Sequence, residues 1–410
     1  MGFKDLGIGD DLENILNKNG ISKPTPIQEK SIPELLKGRD VIAQAQTGTG
    51  KTLAFLLPLM EKIDANKDFI QGLIITPTRE LAIQITNVAK MLSKDKEINI
   101  LSAYGGQDVE RQVRKLKSGI HLVIATPGRL LDHIRRKNIE IGRLKTLVLD
   151  EADEMLHMGF LEDIESIITE TPKSRQTMLF SATIPNEVRS LGKRFMRDPL
   201  QIEVAGKNIT LEEIKQVVIE TTDRGKFDTL CQLIDEYRPY LTIVFCRTKR
   251  RVSELTNNLA ARGYNCDELH GDLTQSKRER VMKDFRSAKL QILIATDIAA
   301  RGIDVEGITH VINYDIPEDV DTYIHRIGRT GRIGNLGMAV TLVTPRDIDT
   351  LRMIESKIKA DIKHKKAMKD RDKDLRNVRK EKERKPEKKR TPNIDDIPKK
   401  YRPKRQPKRK

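Results

Sequence analysis

Three groups of residues in this 410-residue sequence have types and spacings that could do chemistry. The first is Ala45-Gln46-Thr47-Gly48-Thr49-Gly50-Lys51-Thr52. Its glycines let backbone N–H groups curl around phosphate oxygens, and the N-terminus of the helix pattern that follows adds the favourable end of its dipole. Lys51 would reach the terminal phosphates, and the Thr52 hydroxyl would serve Mg2+. The second group is Asp150-Glu151-Ala152-Asp153, at the end of the apolar run Leu147-Val148-Leu149. A buried strand that delivers two adjacent carboxylates at its C-terminal end suits Mg2+ held through water by Asp150 and a water deprotonated by Glu151. Alone, such an end is usually a solvated turn or a helix cap. The phosphate loop about 100 residues upstream turns the reading toward a nucleotide. The third group is His325-Arg326-Ile327-Gly328-Arg329-Thr330-Gly331-Arg332. Arginines three apart among glycines fit either a solvated basic turn or fingers that neutralise charge developing on a γ-phosphate.

The elements that must position these groups are short apolar runs alternating with longer helical patterns. Strands are predicted at Val41–Gln44, Leu73–Thr76, Leu122–Thr126, Leu147–Leu149 and Met178–Ser181, then at Thr242–Phe245, Gln291–Thr296, His310–Tyr314 and Ala339–Val343. Continuous apolar runs of this length argue for buried parallel strands, and the alternation with helices for an open α/β sheet. The strands thin out in the polar stretch 204–216, which places a linker at 206–212 between a domain over 1–205 and a second over 213–357. An internal echo supports two related halves: Leu122–Leu130 reads LVIATPGRL and Ile292–Gly302 reads ILIATDIAARG. Related sheets would put these two segments at corresponding positions.

Composition separates one further object. The net charge is +16, yet residues 361–410 hold 23 Lys/Arg against 9 Asp/Glu, leaving 53 against 51 in the first 360. A segment with so few apolar residues cannot offset its chain entropy by burial. Residues 358–410 are therefore expected to be a disordered basic tail suited to a polyanion, or simply to keeping the chain in solution. The longest apolar run, Leu53–Met60, is too short to span a bilayer and contains Pro58. The opening MGFKDLGIGDD has no apolar signal core, and Cys231, Cys246 and Cys266 have neither disulfide-framework nor zinc-ligand spacing. A cytoplasmic protein with no membrane partner is expected.

With these residues in hand, the chain resembles the DEAD-box family of ATP-dependent RNA helicases over about residues 1–357. Asp150–Asp153 spell the family's name, and other motifs occur in order. Pro24-Thr25-Pro26-Ile27-Gln28, with Phe3 upstream, looks like the adenine-reading Q motif. Pro77-Thr78-Arg79-Glu80-Leu81-Ala82, Gly105-Gly106 and Thr126-Pro127-Gly128-Arg129 look like RNA-contacting segments, and Ser181-Ala182-Thr183 like the segment that couples hydrolysis to strand separation. Val244-Phe245-Cys246-Arg247-Thr248, Gln275 with Arg278, and Ala295–Asp304 match the remaining motifs.

The resemblance implies two tandem RecA-like α/β domains on a flexible linker and an RNA-dependent ATPase using ATP and Mg2+. It implies that Gln28 and Thr25 read the adenine edge while Phe3 stacks on the base. Thr47, Gly48, Thr49, Gly50, Lys51 and Thr52 would hold the phosphates and Mg2+, and Asp304 would touch the ribose. Asp150 would be the Mg2+ partner and Glu151 the base. Arg329 and Arg332 would be fingers, with His325 and Arg326 tying the second domain to the first. Asp153, Ser181 and Thr183 would couple hydrolysis to strand separation. Pro77, Thr78, Arg79, Gly105, Gly106, Thr126, Pro127, Gly128, Arg129, Arg247, Gln275, Arg278, Thr296 and Arg301 would face RNA. With 16 aromatics and no Trp, stacking platforms are few, so RNA binding should depend little on sequence. Ribosomal precursors and RNA-decay machinery are the partners implied, since the compact core and basic tail look like bacterial members linked to cold adaptation and RNA turnover. Two other readings share the engine: an ATP-gated RNA clamp, and a DNA helicase. Phosphate release that depends on Lys51 would argue against the first, and stronger stimulation by RNA than by DNA against the second.

Overall fold

The computed structural model describes every residue except 1, 46–47, 95, 107–118, 205–213, 301–302, 304, 306, 332–336, 359–361 and 367–410. The expected linker 206–212 thus lies outside the described residues, as does the tail from 367 on. The described residues form two compact units. The first comprises those up to Val204 together with 271–280 and 298–304, and the second comprises the others. Two short segments expected in the second domain therefore belong to the first unit.

In the first unit the strands are β1 (Val41–Gln44), β2 (Gly72–Ile75), β3 (Ile100–Ala103), β4 (Leu122–Ala125), β5 (Thr146–Asp150), β6 (Gln176–Ser181) and β7 (Leu200–Glu203). Its helices are α1 (Asp10–Lys18), α2 (Pro26–Leu36), α3 (Lys51–Lys62), α4 (Arg79–Leu92), α5 (Pro127–Arg135), α6 (Ala152–His157), α7 (Leu161–Thr169) and α8 (Asn186–Phe195). The remaining strands are β8 (Ile214–Glu220), β9 (Leu241–Phe245), β10 (Cys266–Leu269), β11 (Ile292–Ala295), β12 (Ile308–Asn313), β13 (Gly337–Val343) and β14 (Lys363–Lys366). The remaining helices are α9 (Lys226–Tyr237), α10 (Lys249–Ala261), α11 (Gln275–Arg286), α12 (Asp297–Ala300), α13 (Val320–Ile327) and α14 (Ile348–Ile358).

The first sheet runs β3-β4-β2-β5-β6-β1-β7 and the second β10-β11-β9-β12-β13-β8-β14. All pairings are parallel. Counted in chain order from β1 and from β8, the two orders are the same. The echoed segments β4 and β11 stand second from the edge in their sheets, so the repeat seen in the sequence is a repeat of topology. The central strands are buried along their whole length, as β2, β4, β5, β6, β9 and β11 show. Apolar side chains of α1 to α4 cover one face of the first sheet, with Leu12, Leu16, Ile27, Phe55 and Leu57 among the fully buried. α5, α7 and α8 cover the other face through Leu130, Ile164, Ile167 and Val188.

Ile358 is the last residue of α14, and Lys363–Lys366 pair in parallel with β8 as an edge strand. A lysine-rich strand is tolerated at an edge because its side chains reach water and discourage further pairing. Among the described residues, no helix is long and apolar enough to cross a membrane.

Candidate functional site

The phosphate loop leaves β1 and enters α3 as its residue types require. Gly48 and Gly50 have φ of 81° and 94°, left-handed conformations natural only to glycine. At Gly50 there is a second reason. A Cβ there would lie 2.5 Å from Gln28 Nε2 and 2.8 Å from Thr25 Oγ1. α2 begins beside the loop: Gln28 Oε1 accepts from the Thr25 N–H at 2.9 Å, and its Nε2 donates to the Gly50 carbonyl at 2.9 Å. Gln28 and Thr25 thus sit on the phosphate loop itself. Lys51 opens α3 with 7% exposure, and its Nζ has no hydrogen-bond partner. Thr25 Oγ1 is likewise buried and unpartnered. Thr47 lies outside the described residues.

The carboxylates follow two strands away. Asp150 ends β5 at 2% exposure. Burial raises its pKa, against the pull of Lys51 and the Glu151 N–H, which donates to Asp150 Oδ1 at 3.0 Å. Glu151 is held at φ 52°, ψ 52°, a left-handed backbone that costs a non-glycine residue about 1–3 kcal/mol. Asp153 is bound on every side. Its N–H donates to Ser181 Oγ at 3.1 Å, its Oδ1 accepts from the Glu154 N–H, and its Oδ2 accepts from the N–H and hydroxyl of Thr183 at 2.7 and 2.8 Å. Since β5, β6 and β1 are consecutive in the sheet, these groups share one edge, at the C-terminal strand ends where open α/β sheets bind ligands.

A basic cluster occupies the same edge of the first unit. Arg79 follows the helix cap Thr78, whose hydroxyl accepts from the Leu81 N–H. Its guanidinium lies against Gly105 and Gly106, where any Cβ would come within 2.8 and 2.7 Å of it. Burial lowers the pKa of Arg79, helped by the neighbouring charges of Arg278 and Arg129. Arg129 Nη1 is buried without a partner, and a Cβ at Gly128 would meet nothing within 4 Å. Thr126 and Pro127 cap α5 beside them.

Three of the expected side chains are already engaged within the described residues. Phe3 is 1% exposed in the apolar core with Leu6, Ile8 and Leu12, so its ring has no open face for a base. Arg278 is not an open phosphate donor. It is buried in an ion pair with Glu80, with Nε–Oε1 at 2.8 Å and Nη2–Oε1 at 2.6 Å. Arg326 is 3% exposed and forms a two-point pair with Asp297 at 2.5 and 2.8 Å, donates to Asn313 Oδ1 and the Asp315 carbonyl, and lies over the Phe245 ring. Those partners all belong to the second unit, so its bonds tie that unit to itself. A buried guanidinium needs such complete satisfaction.

Elsewhere in the second unit, α13 carries His325 at intermediate exposure and leads to Arg329, 7% exposed, whose Nε donates to the His325 carbonyl at 3.2 Å. Arg247 lies two residues beyond β9, half-exposed. Thr296 follows β11, its N–H donating to the Leu269 carbonyl at 3.3 Å. In the first unit, Gln275 donates to Glu279 at the start of α11. Arg301, Asp304 and Arg332 lie outside the described residues. Residues the sequence reading passed over are Glu80, Asp297, Asn313 and Asp315, the partners of the arginines. Asp315 was within reach, because it follows the apolar end of β12 as Asp150 ends β5.

Comparison with known proteins supplies the rest. The family description DEAD/DEAH box helicase matches residues 25–191, and helicase conserved C-terminal domain matches 225–334. An ATP-dependent RNA helicase CshA of Limosilactobacillus reuteri is 53% identical over 355 residues, covering 87% of this chain and 71% of that protein. The chain belongs to the DEAD-box family of ATP-dependent RNA helicases. CshA of Listeria monocytogenes is similar at 51% identity, over 87% of this chain and 69% of that protein. Among solved structures, S. cerevisiae Dbp5 bound to RNA and ADP BeF3 matches with a TM-score of 0.81 and 32% identity, over 92% of this chain and 99% of that one. A truncated Mss116p bound to ssRNA and AMP-PNP matches at 0.80 and 29%, over 90% and 78%. This DEAD-box chain thus has two tandem RecA-like sheets, with Asp150–Asp153 at the C-terminal strand edge of the first.

Proposed function

We propose that the chain hydrolyses ATP in response to RNA and uses the cycle to separate short duplexes locally or to remodel RNA–protein complexes. The observation that carries the reading is Lys51: a buried ammonium with no protein partner, one residue after the phosphate-loop glycine and close enough to Asp150 to pull on its ionisation. A buried cation left this way is costly unless a polyanion completes it. The RNA and nucleotide complexes of Dbp5 and Mss116p, and the names of the CshA relatives, support ATP and RNA as the ligands.

In this reading Gly48, Thr49, Gly50 and Lys51 hold the phosphates, while Gln28 and Thr25 bring α2 against the loop and favour adenine. Mg2+ bound with the nucleotide would offset phosphate charge, and the buried Asp150 carboxylate with the Thr52 hydroxyl is the donor set that fits it. Glu151 orients and deprotonates the attacking water. Arg329 and Arg332 stabilise charge developing on the transferred phosphoryl group, so turnover needs both units. Asp153 passes the state of the carboxylate pair to Ser181 and Thr183. Arg79, Arg129, Arg247, Thr296 and Arg301, with the exposed glycine N–H groups, hold the RNA backbone. Each stacked step lost costs roughly 1.4 kcal/mol on the scale of DNA, so melting a few steps is within reach of differential binding. The setting is a reducing cytoplasm, a reading supported by three unpaired thiols, two of them buried. Ribosomal precursors and decaying transcripts fit its sequence-tolerant contacts.

Phosphate release with and without RNA tests the reading. Wild type releases phosphate and is stimulated by RNA, whereas Lys51→Ala falls to the buffer rate in both conditions. A Lys51→Ala protein that kept its turnover would overturn it.

A further inference from the structure

Asp315 stands where the second unit gathers its cations. It follows β12, is 4% exposed and receives bonds from four residues. Its Oδ2 accepts from the Arg247 N–H at 3.0 Å. Its Oδ1 pairs with Arg251 at 3.3 Å and with Lys226 at 3.4 Å. Its carbonyl accepts from Arg326 Nη1 at 2.7 Å. Lys226 is 4% exposed, so it is a buried cation balanced by this carboxylate and, more distantly, by Asp347 at 3.9 Å. Arg251 differs. Its side chain is 40% exposed and lies over the Tyr314 ring at 5.3 Å, so it is fixed from below and open above. Arg247 is also half-exposed, and its Nη2 reaches the Ile316 carbonyl at 3.4 Å, one residue beyond Asp315.

We propose that Asp315 is a positioning residue of the RNA-dependent reaction: its carboxylate sets Arg247 and Arg251 as a paired platform for successive backbone phosphates, while its carbonyl holds Arg326 and with it the helix that leads to Arg329. This rests on the reading of Arg247 as an RNA contact and Arg329 as a finger, and adds Arg251 as a second phosphate contact. The physical reason is preorganisation. A long cationic side chain loses much rotamer freedom when it grips a phosphate; the Asp315 carboxylate removes part of that loss for Arg251 by pairing with its guanidinium, and for Arg247 it fixes the backbone N–H from which the side chain springs. The same residue joins the platform to α13, so a shift of the β12 end under RNA reaches the Arg329 turn through Arg326.

The test is a double-mutant cycle in the full-length chain, read as the RNA concentration for half-maximal ATPase and as maximal turnover. Asp315→Asn keeps the shape and removes the charge. Losing hydrogen bonds to a charged group should raise the half-maximal RNA concentration about tenfold. Maximal turnover should fall as well, whereas Arg251→Ala should raise only the RNA requirement. Combined with Arg247→Ala, Asp315→Asn should add little, because both disable one platform. Since Asp315→Asn strands Lys226, the Lys226→Met/Asp315→Asn protein is measured alongside. It should regain thermal stability but not RNA affinity. Independent, multiplying effects of Asp315→Asn and Arg247→Ala overturn the proposal. So does recovery of RNA affinity in Lys226→Met/Asp315→Asn, which would make Asp315 a folding residue alone. An Arg247→Ala protein with unchanged RNA dependence overturns the underlying reading as well, and is told apart because it needs no second mutation.

Discussion

Asp150 sits in a conflict that the reaction requires. Burial pushes its pKa up, so the fold makes the ionised carboxylate harder to form than it is in the unfolded chain, against the pull of Lys51. A raised folded-state pKa gives stability that is fully present below the unfolded value of 3.8 and lost as pH climbs through the folded value. Near neutral pH the ionised Asp150 is therefore a cost, and Asp150→Asn should raise the thermal midpoint of the ligand-free protein while ending phosphate release. A lower midpoint in calorimetry would contradict this. Gly50 is the opposite kind of residue. Gly50→Ala places a methyl against Gln28 Nε2 in a left-handed backbone, a strain of roughly 1–2 kcal/mol before any clash. Nucleotide titration should show weakened ATP binding with the fold kept. The types of Lys51, Asp150, Glu151 and Gly50 were legible in the sequence because each needs its type for a local reason. Phe3, Arg278 and Arg326 were legible as positions, but the partners that surround them were not. Whether an aromatic faces a base or the core, and whether an arginine meets RNA or a carboxylate, depends on partners far away in the chain, such as Glu80 for Arg278.

At the scale of elements, the strands read from apolar runs are the central ones, while β3, β7, β10 and β14 are the sheet edges and escaped notice. The cause is burial. An edge strand is partly exposed and carries polar residues, as CDEL of β10 and KHKK of β14 do, so no continuous apolar run marks it. β8, beside the edge, was hidden for another reason: its first residues, Ile214-Lys215-Gln216, merge into the polar stretch read as linker. Two predictions belong here. Thr183 binds Asp153 by both N–H and hydroxyl, so Thr183→Ala removes the bond that joins the end of β6 to the carboxylate pair while the backbone bond remains. RNA-stimulated phosphate release should persist and strand separation should fall severalfold in a duplex-release assay; equal losses of both would refute the coupling. The second concerns Lys62 of α3, which donates to the Leu35 carbonyl at the end of α2 and to Gln176 of β6. Burial lowers its pKa from 10.5 to about 8. The unfolded chain therefore holds a proton that the folded one has released between those values, and this group's contribution to stability rises with pH across that window. Thermal midpoints of wild type relative to Lys62→Met should climb from pH 8 to 10, and a flat difference would contradict the assignment.

For the whole molecule, charge and topology divide the work. The two sheets share one strand order and are nearly neutral, while most of the net +16 lies beyond residue 360. Contacts from that segment to RNA should weaken with salt by about −0.9 in log–log slope per neutralised phosphate on a duplex. Removing residues 367–410 should raise the RNA concentration for half-maximal ATPase and leave maximal turnover nearly intact. Cutting instead after residue 360 also strips β14 from β8, and should lower the thermal midpoint as well. The central claim is that ATP is hydrolysed only when groups from both units act together, Glu151 from the first and Arg329 from the second. Phosphate release by full-length Arg329→Ala at saturating RNA and ATP tests it most directly. Loss of a finger should slow turnover by about 10³-fold while nucleotide still binds. Turnover at the wild-type rate would mean that the first unit works alone.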